Sequence, residues 1–388
     1  MSIDLLFASD SFKGSLTSEQ ITELLTRAAN SVFDDCRTRG VPVADGGEGT
    51  ADAVVTAVSG SKVYADVHDP LMGNVRAFYG KIGDCKAVVE TALANGLPLV
   101  PEDRRDPLET TTYGAGELVR AALDDGFTDI SIAIGGSATN DGGMGFARAL
   151  GVKFYDAAGN ELEGRGKDLE RVTHIDADGI VPAVRNANFT VMCDVKNPLC
   201  GENGATYTFG AQKGASPEML DRLERGMINY RDVIIREFGV DPDGIEGAGA
   251  AGGLGAALSV FFGAKMRSGI ETVLDLIGFD ELLNEADIVI TGEGRTDWQS
   301  CFGKVVQGIG DRAKNKGIPV FVLSGGLGPG YEKIYEHGIT SAMTTATGPM
   351  ALSEAIERAE ELYFEAAVRM FRILKTGVEL GIAVPKTV

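Results

Sequence analysis

Positive charge is scarce in this chain of 388 residues: 36 lysines and arginines stand against 56 aspartates and glutamates, for a net charge of −20. No basic run or arm interrupts the acidity. A field of that sign repels phosphate backbones and anionic lipid, which argues against nucleic-acid and membrane-surface partners while leaving room for a local anion site. Cysteine is sparse too. Cys36, Cys85, Cys193, Cys200 and Cys301 make an odd number with no C-x-x-C pair and no neighbouring histidine. That spacing supports neither a disulfide frame nor a zinc cluster, so reduced thiols, mostly buried, are expected. The three histidines, His68, His174 and His337, lie far apart and read as turn or surface residues rather than bases. Long apolar runs are missing as well. Ile3 to Ala8 lacks a basic lead and is too short for a signal peptide, and the uncharged stretch Gly247 to Ala264 is largely Gly and Ala. A cytoplasmic protein without a membrane span is expected. There is no G-x-x-x-x-G-K-[ST], no convincing dinucleotide fingerprint, no G-x-S-x-G elbow and no internal repeat.

Glycine, by contrast, is abundant, with 52 residues where about 7 % is usual, and it is clustered. The length predicts two or three domains. Ile3 to Ala8 reads as a buried strand and Thr17 to Val32 as a helix, capped by Thr17 or Ser18, with apolar residues at helical spacing. Val41 to Val43 is predicted as a short extended piece, followed by a helix from Ala51. Val63 to Val67 and Val75 to Tyr79 alternate like a hairpin, with Lys86 to Glu90 following. Further strands are predicted over 129–134, 189–194, 287–291 and 319–323, and helices over 113–123, 144–150, 217–238, 305–314 and 352–374. Single strands alternate with single helices at both ends of the chain, and hairpin-like material lies between. The pattern predicts an α/β fold: a doubly wound, Rossmann-like domain formed by both termini (1–65 plus 280–388) with an inserted mixed α/β domain (66–279), and a ligand site in the cleft they share.

Five loops repeat one composition of glycines, hydroxyls and carboxylates, and three of them follow apolar strands. Glycine frees successive N–H groups to face one concavity, a nest for oxyanions, and a following helix adds its positive end. The acids in or beside these loops are Asp45, Glu48, Asp141, Asp194, Glu293 and Asp297. Hard carboxylates suit Mg²⁺, which takes one or two of them and completes its shell with water and phosphate. Asp45 and Asp141 are equally suited to capping backbone N–H groups. The few cations in the loops, Lys13, Arg295 and Lys304, are candidate partners for phosphate or for a small anionic acceptor. Asp10 and Ser11 leave the first strand beside Lys13. Trp298 is as well suited to packing as to stacking on a base.

Taken in order, DSFKGS (10–15), PVADGGEGT (42–50), TTTYGAGEL (110–118), IGGSATNDGG (134–143), CDVKNPLCGENGA (193–205), FGAQKGA (209–215), GAGAAGGLGAAL (247–258) and ITGEGRTD (290–297) resemble the bacterial two-domain glycerate kinases. The likeness runs from about Leu5 to Arg372. It implies ATP- and Mg²⁺-dependent phosphorylation of D-glycerate, commonly at the 2-hydroxyl, by a monomer or homodimer. On that resemblance the substrate contacts are Asp10, Ser11, Lys13, Asn95 and Arg295, with Asp194, Asp45 and Lys13 as catalytic candidates. Gly136, Ser137, Thr139, Asn140, Gly252, Gly253 and Lys304 would hold the nucleotide phosphates, and Asp194, Glu293 and Asp297 the metal. The chain departs from the family pattern at Thr91-Ala-Leu-Ala-Asn-Gly96, at Thr296-Asp297-Trp298 and at Leu323-Ser-Gly-Gly326. These departures bear on acceptor choice. A kinase of another small hydroxy acid, a phosphatase or hydrolase using the same nests, and a non-catalytic binder of phosphorylated metabolites therefore stand as alternatives.

Overall fold

Strands that are apolar at nearly every position, such as Ile288–Thr291, can be satisfied only by burial on both faces, the signature of parallel sheet between helical layers. The computed structural model describes residues 2–301 and 303–380. It has two units, one formed from the described residues of 1–45, 56–58 and 270–388, the other from 46–55 and 59–269. The division expected near residue 65 falls within the strand Ser61–His68, which pairs along its whole length with Asn74–Ile82.

The first unit is a five-stranded, wholly parallel sheet in the order Ile339–Thr344, Val320–Ser324, Ile288–Thr291, Ile3–Phe7, Cys36–Gly40. From Ile3–Phe7 the chain crosses through the helix Ser18–Val32 to one side. After its return, Ile288–Thr291 lies on the other side and the chain proceeds outward through the helix Val305–Asn315. The winding direction therefore reverses between these two central strands, as in doubly wound folds. Thr17 starts the first helix with a capping box: its hydroxyl accepts from Gln20 N–H at 3.2 Å and its own N–H donates to Gln20 Oε1 at 2.9 Å. The buried face of that helix, Ile21, Leu24, Leu25, Ala28 and Ala29, packs with Tyr363, Ala366, Met370 and Phe371 of the helix Ala359–Glu379 over Leu5, Phe7 and Ile290.

The second unit carries a six-stranded mixed sheet, ordered Lys265–Arg267, Asn188–Met192, Asp129–Ala133, Lys86–Glu90, Asn74–Ile82, Ser61–His68. Its first four strands are parallel and the hairpin side is antiparallel. The alternation read in the hairpin and the apolar runs read further along both reappear as strands, and the helix Pro217–Phe238 has the predicted bounds.

Three strands of the two large sheets depart from expectation. The extended piece at Val41 to Val43 is not the ladder strand; Cys36–Gly40 is, with Val41 N–H still reaching Phe7 O at 2.8 Å. An edge strand needs only one paired side, so CRTRG tolerates exposure, and Arg37 is held on Asp4 by paired N–H donors at 2.5 and 2.6 Å. Ile339–Thr344 and Lys265–Arg267, also at sheet edges, carry no apolar run and were not anticipated. The expectation that the cysteines are mostly buried is also corrected: all five are free thiols, but only Cys200 and Cys301 are buried.

The second unit contains a carboxylate tie. Asp141 is fully buried and accepts from Thr112 N–H and Oγ1–H, both at 2.7 Å, and from Gly143 and Gly145 N–H at 3.0 and 3.2 Å. It binds the Thr110–Thr112 turn to the start of the helix Met144–Ala149, so the capping role read in the sequence is the one it fills. Asp141→Ala leaves these donors unsatisfied and should cost on the order of 3 kcal/mol; the urea midpoint of the variant measures the loss.

Candidate active site

The reversal of winding leaves a crevice beyond the carboxyl ends of Ile3–Phe7 and Ile288–Thr291, and both following loops enter it. Pairing does not stop at the strand ends: Ala8 N–H donates to Ile290 O at 2.9 Å and Asp10 N–H to Gly292 O at 3.0 Å. This register brings Asp10 and Glu293 to the same mouth. Beyond Asp10 the chain turns tightly, with Phe12 N–H on Leu16 O and Ser15 N–H on Phe12 O, both at 2.8 Å, and with Gly14 at φ 77°. That positive φ is why a glycine stands there. Phe12 anchors the turn edge-on against Tyr363, with ring centroids 5.5 Å apart.

A cavity of about 640 Å³ opens at this point within the first unit. Asp10, Ser11, Lys13, Asp45, Glu293, Arg295 and Lys304 give it a charged side, and Leu352, Ile356 and Tyr363 an apolar one. Asp10 is half-buried, and its pKa is pushed up to about 6, first by burial and then by the charge of Asp45; the Ser11 N–H bond at 2.7 Å and Lys13 oppose the rise, and Glu293 adds to it. Glu293 is also raised by burial, against the Ser300 hydroxyl, the charge of Lys304 and the Thr296 hydroxyl, which donates to Glu293 Oε1 at 3.2 Å. Two departures from the family pattern meet here: Thr296 Oγ1 and Ser324 Oγ share a hydrogen bond of 2.6 Å. They brace the Glu293 carboxylate from behind. Trp298, in the same departing stretch as Thr296, is half exposed and does not line the cavity. Asp297 does not line it either; its carboxylate accepts from Gln299 N–H at 2.9 Å and lies 3.5 Å from Arg295 Nε.

The other expected site residues belong to the second unit. Asp194 is exposed, two residues past the end of its strand, with Oδ1 accepting from Gly269 N–H at 3.0 Å. Gly136, Ser137, Thr139 and Asn140 follow Asp129–Ala133 in one loop, and an isolated bridge between Gly96 and Ser137 joins that loop to the residue after Asn95. Gly252 and Gly253 sit at φ 69° and 93° just before the regular part of their helix. A side chain on Gly252 would meet Thr139 O at 2.1 Å, so close backbone packing on the loop accounts for this glycine.

Lys213 is the residue that sequence reasoning passed over, although its motif, FGAQKGA, was noted. It is buried, with Nζ donating to Ser137 Oγ at 3.1 Å and to Thr139 O at 2.7 Å. A lone long cation amid Gly and Ala was the available signal. The histidines, read as turn or surface residues, each lie against an acid, Nδ1 of His68, His174 and His337 being 2.9 to 3.1 Å from Glu117, Glu237 and Asp311; His68 and His174 stand in strands, and only His174 is exposed. Among the described residues no helix is long and apolar enough to cross a membrane.

Comparison with known proteins agrees with the arrangement. The model of the glycerate kinase family matches residues 5–375. A glycerate kinase of Halalkalibacterium halodurans is 43% identical over 364 residues, covering 94% of this chain and 96% of that protein. Glycerate 2-kinase of Escherichia coli is 42% identical over 375 residues, covering 96% and 98%. A solved structure named for glycerate kinase 2 of Salmonella typhimurium LT2 superposes with a TM-score of 0.87 at 41% identity, covering 98% of this chain and all of that one. The reversal-point cavity and a likeness that spans nearly the whole length lead to one assignment: the chain belongs to the glycerate kinase family, enzymes that transfer a phosphoryl group to an alcohol.

Proposed function

We propose that the protein transfers the γ-phosphoryl group of ATP to D-glycerate and that the product is 2-phosphoglycerate. The position of transfer is supported by the likeness to a relative named glycerate 2-kinase. The observation that carries the chemistry is the charged side of the first unit's cavity, where acids and cations alternate around Asp10. Lys13 and Arg295 suit the carboxylate of a small hydroxy acid, and Lys304 suits a phosphate oxygen. Asp10 is the better proton acceptor for the attacking hydroxyl, since a carboxylate near pKa 6 is a stronger base than an ordinary one and stays ionised at neutral pH. Asp45 beside it, and Asp194 in the second unit, are the other candidates.

The donor set also suits magnesium, which favours hard oxygens and needs only one or two protein carboxylates. No group of three potential ligands is assembled among the described residues. Glu293, which lines the cavity, is the better candidate ligand, and Asp297, which does not, the poorer. Bound with ATP, magnesium neutralises charge on the phosphate oxygens. Gly136, Ser137, Thr139 and Asn140 supply the loop proposed for phosphate, and Asn95 a polar contact for the acceptor.

The assignment is tested by ³¹P and ¹³C NMR of the product from D-glycerate and ATP, with glycolate, lactate and tartrate as competing acceptors. Phosphorylation of C2 of glycerate in preference to the others is expected; turnover of another acid alone overturns the substrate. Lys13→Ala should lower kcat/KM for glycerate by about 100-fold with KM for ATP unchanged, and wild-type kinetics would remove Lys13 from the site. Asp10 gives a stability test of definite sign. Its folded pKa, about 6, exceeds the unfolded value of about 3.9, so the folded chain binds the extra proton between them. The stability it contributes is full below about pH 4 and lost as the pH rises through about 6. Asp10→Asn should therefore raise Tm at about pH 7.5, leave it unchanged near pH 4, and abolish most activity, as read by calorimetry and a coupled assay.

A further inference from the structure

Lys213 poses a problem of charge. Only 3% of it is exposed, and no carboxylate pairs with it among the described residues. Both of its acceptors, Ser137 Oγ and Thr139 O, are neutral, and together they use two of its three N–H groups. Asp141 contributes charge from a distance, but its carboxylate is committed to Thr112, Gly143 and Gly145. Burial pushes the Lys213 ammonium down only to about 8, so it is still mainly charged at neutral pH. A buried charge is costly unless it is paired.

The same region holds polar atoms without partners. Asn95 is fully buried, yet neither its Nδ2 nor its Oδ1 has a hydrogen-bond partner among the described residues. Thr139 Oγ1 and Asn140 Oδ1 share that condition, and Asn140 Nδ2 is held by Thr206 Oγ1 at 3.2 Å. These residues are tied together by backbone: Ala138 N–H donates to Asn95 O at 2.8 Å, next to the Gly96–Ser137 bridge. Native proteins leave few buried polar groups unsatisfied, and an accumulation on and beside the loop that a buried cation bonds marks a place where something else completes the set.

We propose that Lys213, with the Asn95 amide and the Ser137–Asn140 loop, forms an oxyanion-binding site that receives a carboxylate or phosphoryl group of the small molecules this protein handles. The naming of those molecules rests on the kinase reading; the site does not. An ammonium with a spare N–H, hydroxyls and an amide supply the donors that a charged oxygen group takes, and their burial strengthens each bond.

The test is calorimetric titration of the full chain, wild type and Lys213→Met, with inorganic phosphate, with the magnesium complex of AMP-PNP and with D-glycerate. Methionine keeps the length of the side chain and removes its charge. Affinity for at least one ligand should fall about 10- to 100-fold, while the ligand-free Tm should hold or rise because an unpaired buried charge has gone. A loss confined to phosphate and AMP-PNP identifies a phosphoryl group, and a loss confined to D-glycerate a carboxylate. Unchanged affinities for all three in a folded variant overturn the site. Should Lys213→Met fail to fold, Asn95→Asp, nearly isosteric and carrying like charge to the ligand, is read by the same criteria. The kinase reading fails separately: a wild type that binds phosphate through Lys213 without phosphorylating glycerate keeps this site and loses that function, and turnover with binding independent of Lys213 does the reverse.

Discussion

The pairing of Ile3–Phe7 with Ile288–Thr291, strands separated in sequence by the whole of the second unit, is the constraint on which the first unit depends. It creates the reversal of winding, and the reversal opens the crevice. Because the ladder continues through Ala8 and Asp10, the two acid-bearing loops are held in register by backbone hydrogen bonds rather than by their side chains. Asp10 and Glu293 can therefore stand at one mouth although each disfavours the other's charge. Closing so long a loop costs chain entropy that grows only slowly with length, and the apolar burial of both strands outweighs it.

Each unit carries charge that does not help its fold. Asp10 is raised by burial and by Asp45, Glu293 is raised by burial, and Lys213 is lowered by it. Each shift means that the ionised form is disfavoured where it stands, which a stable core would avoid and a binding site for charged ligands needs. Asp141 is the contrast. It is more deeply buried and burial raises its pKa as well, but hydrogen bonds from Thr112, Gly143 and Gly145 oppose that rise and saturate it, and its work is to hold a turn against a helix. Burial alone does not separate the two roles; the hydrogen-bond count does.

Glycine likewise has two uses. Gly14 permits the turn that presents Lys13, whereas Gly252 lets two backbone segments touch. Composition made both look like nests, and contact with Thr139 distinguishes the second. The family departures Thr296 and Ser324 become intelligible together. Their hydroxyls bond each other, and Thr296 reaches Glu293, so the pair acts on a carboxylate from outside the cavity lining.

The α/β class, the terminal strands, the long helices and the Asp10–Lys13 and Glu293–Arg295 loops were legible because apolar periodicity and glycine clusters are local properties of the chain. The edge strands Cys36–Gly40 and Ile339–Thr344 were not, since an edge is defined by what a neighbour supplies and imposes little pattern of its own. Lys213 escaped for a related reason. Its importance comes from losing water and finding no counter-charge, and a sequence records neither. By itself the sequence determined the interior strands and long helices, the acid-rich loops and the family they resemble, all encoded within a few residues at a time. Only the tertiary structure decided which charges share a cavity and which buried polar atoms go unpaired, because solvent exclusion and electrostatics act between residues that the chain keeps far apart.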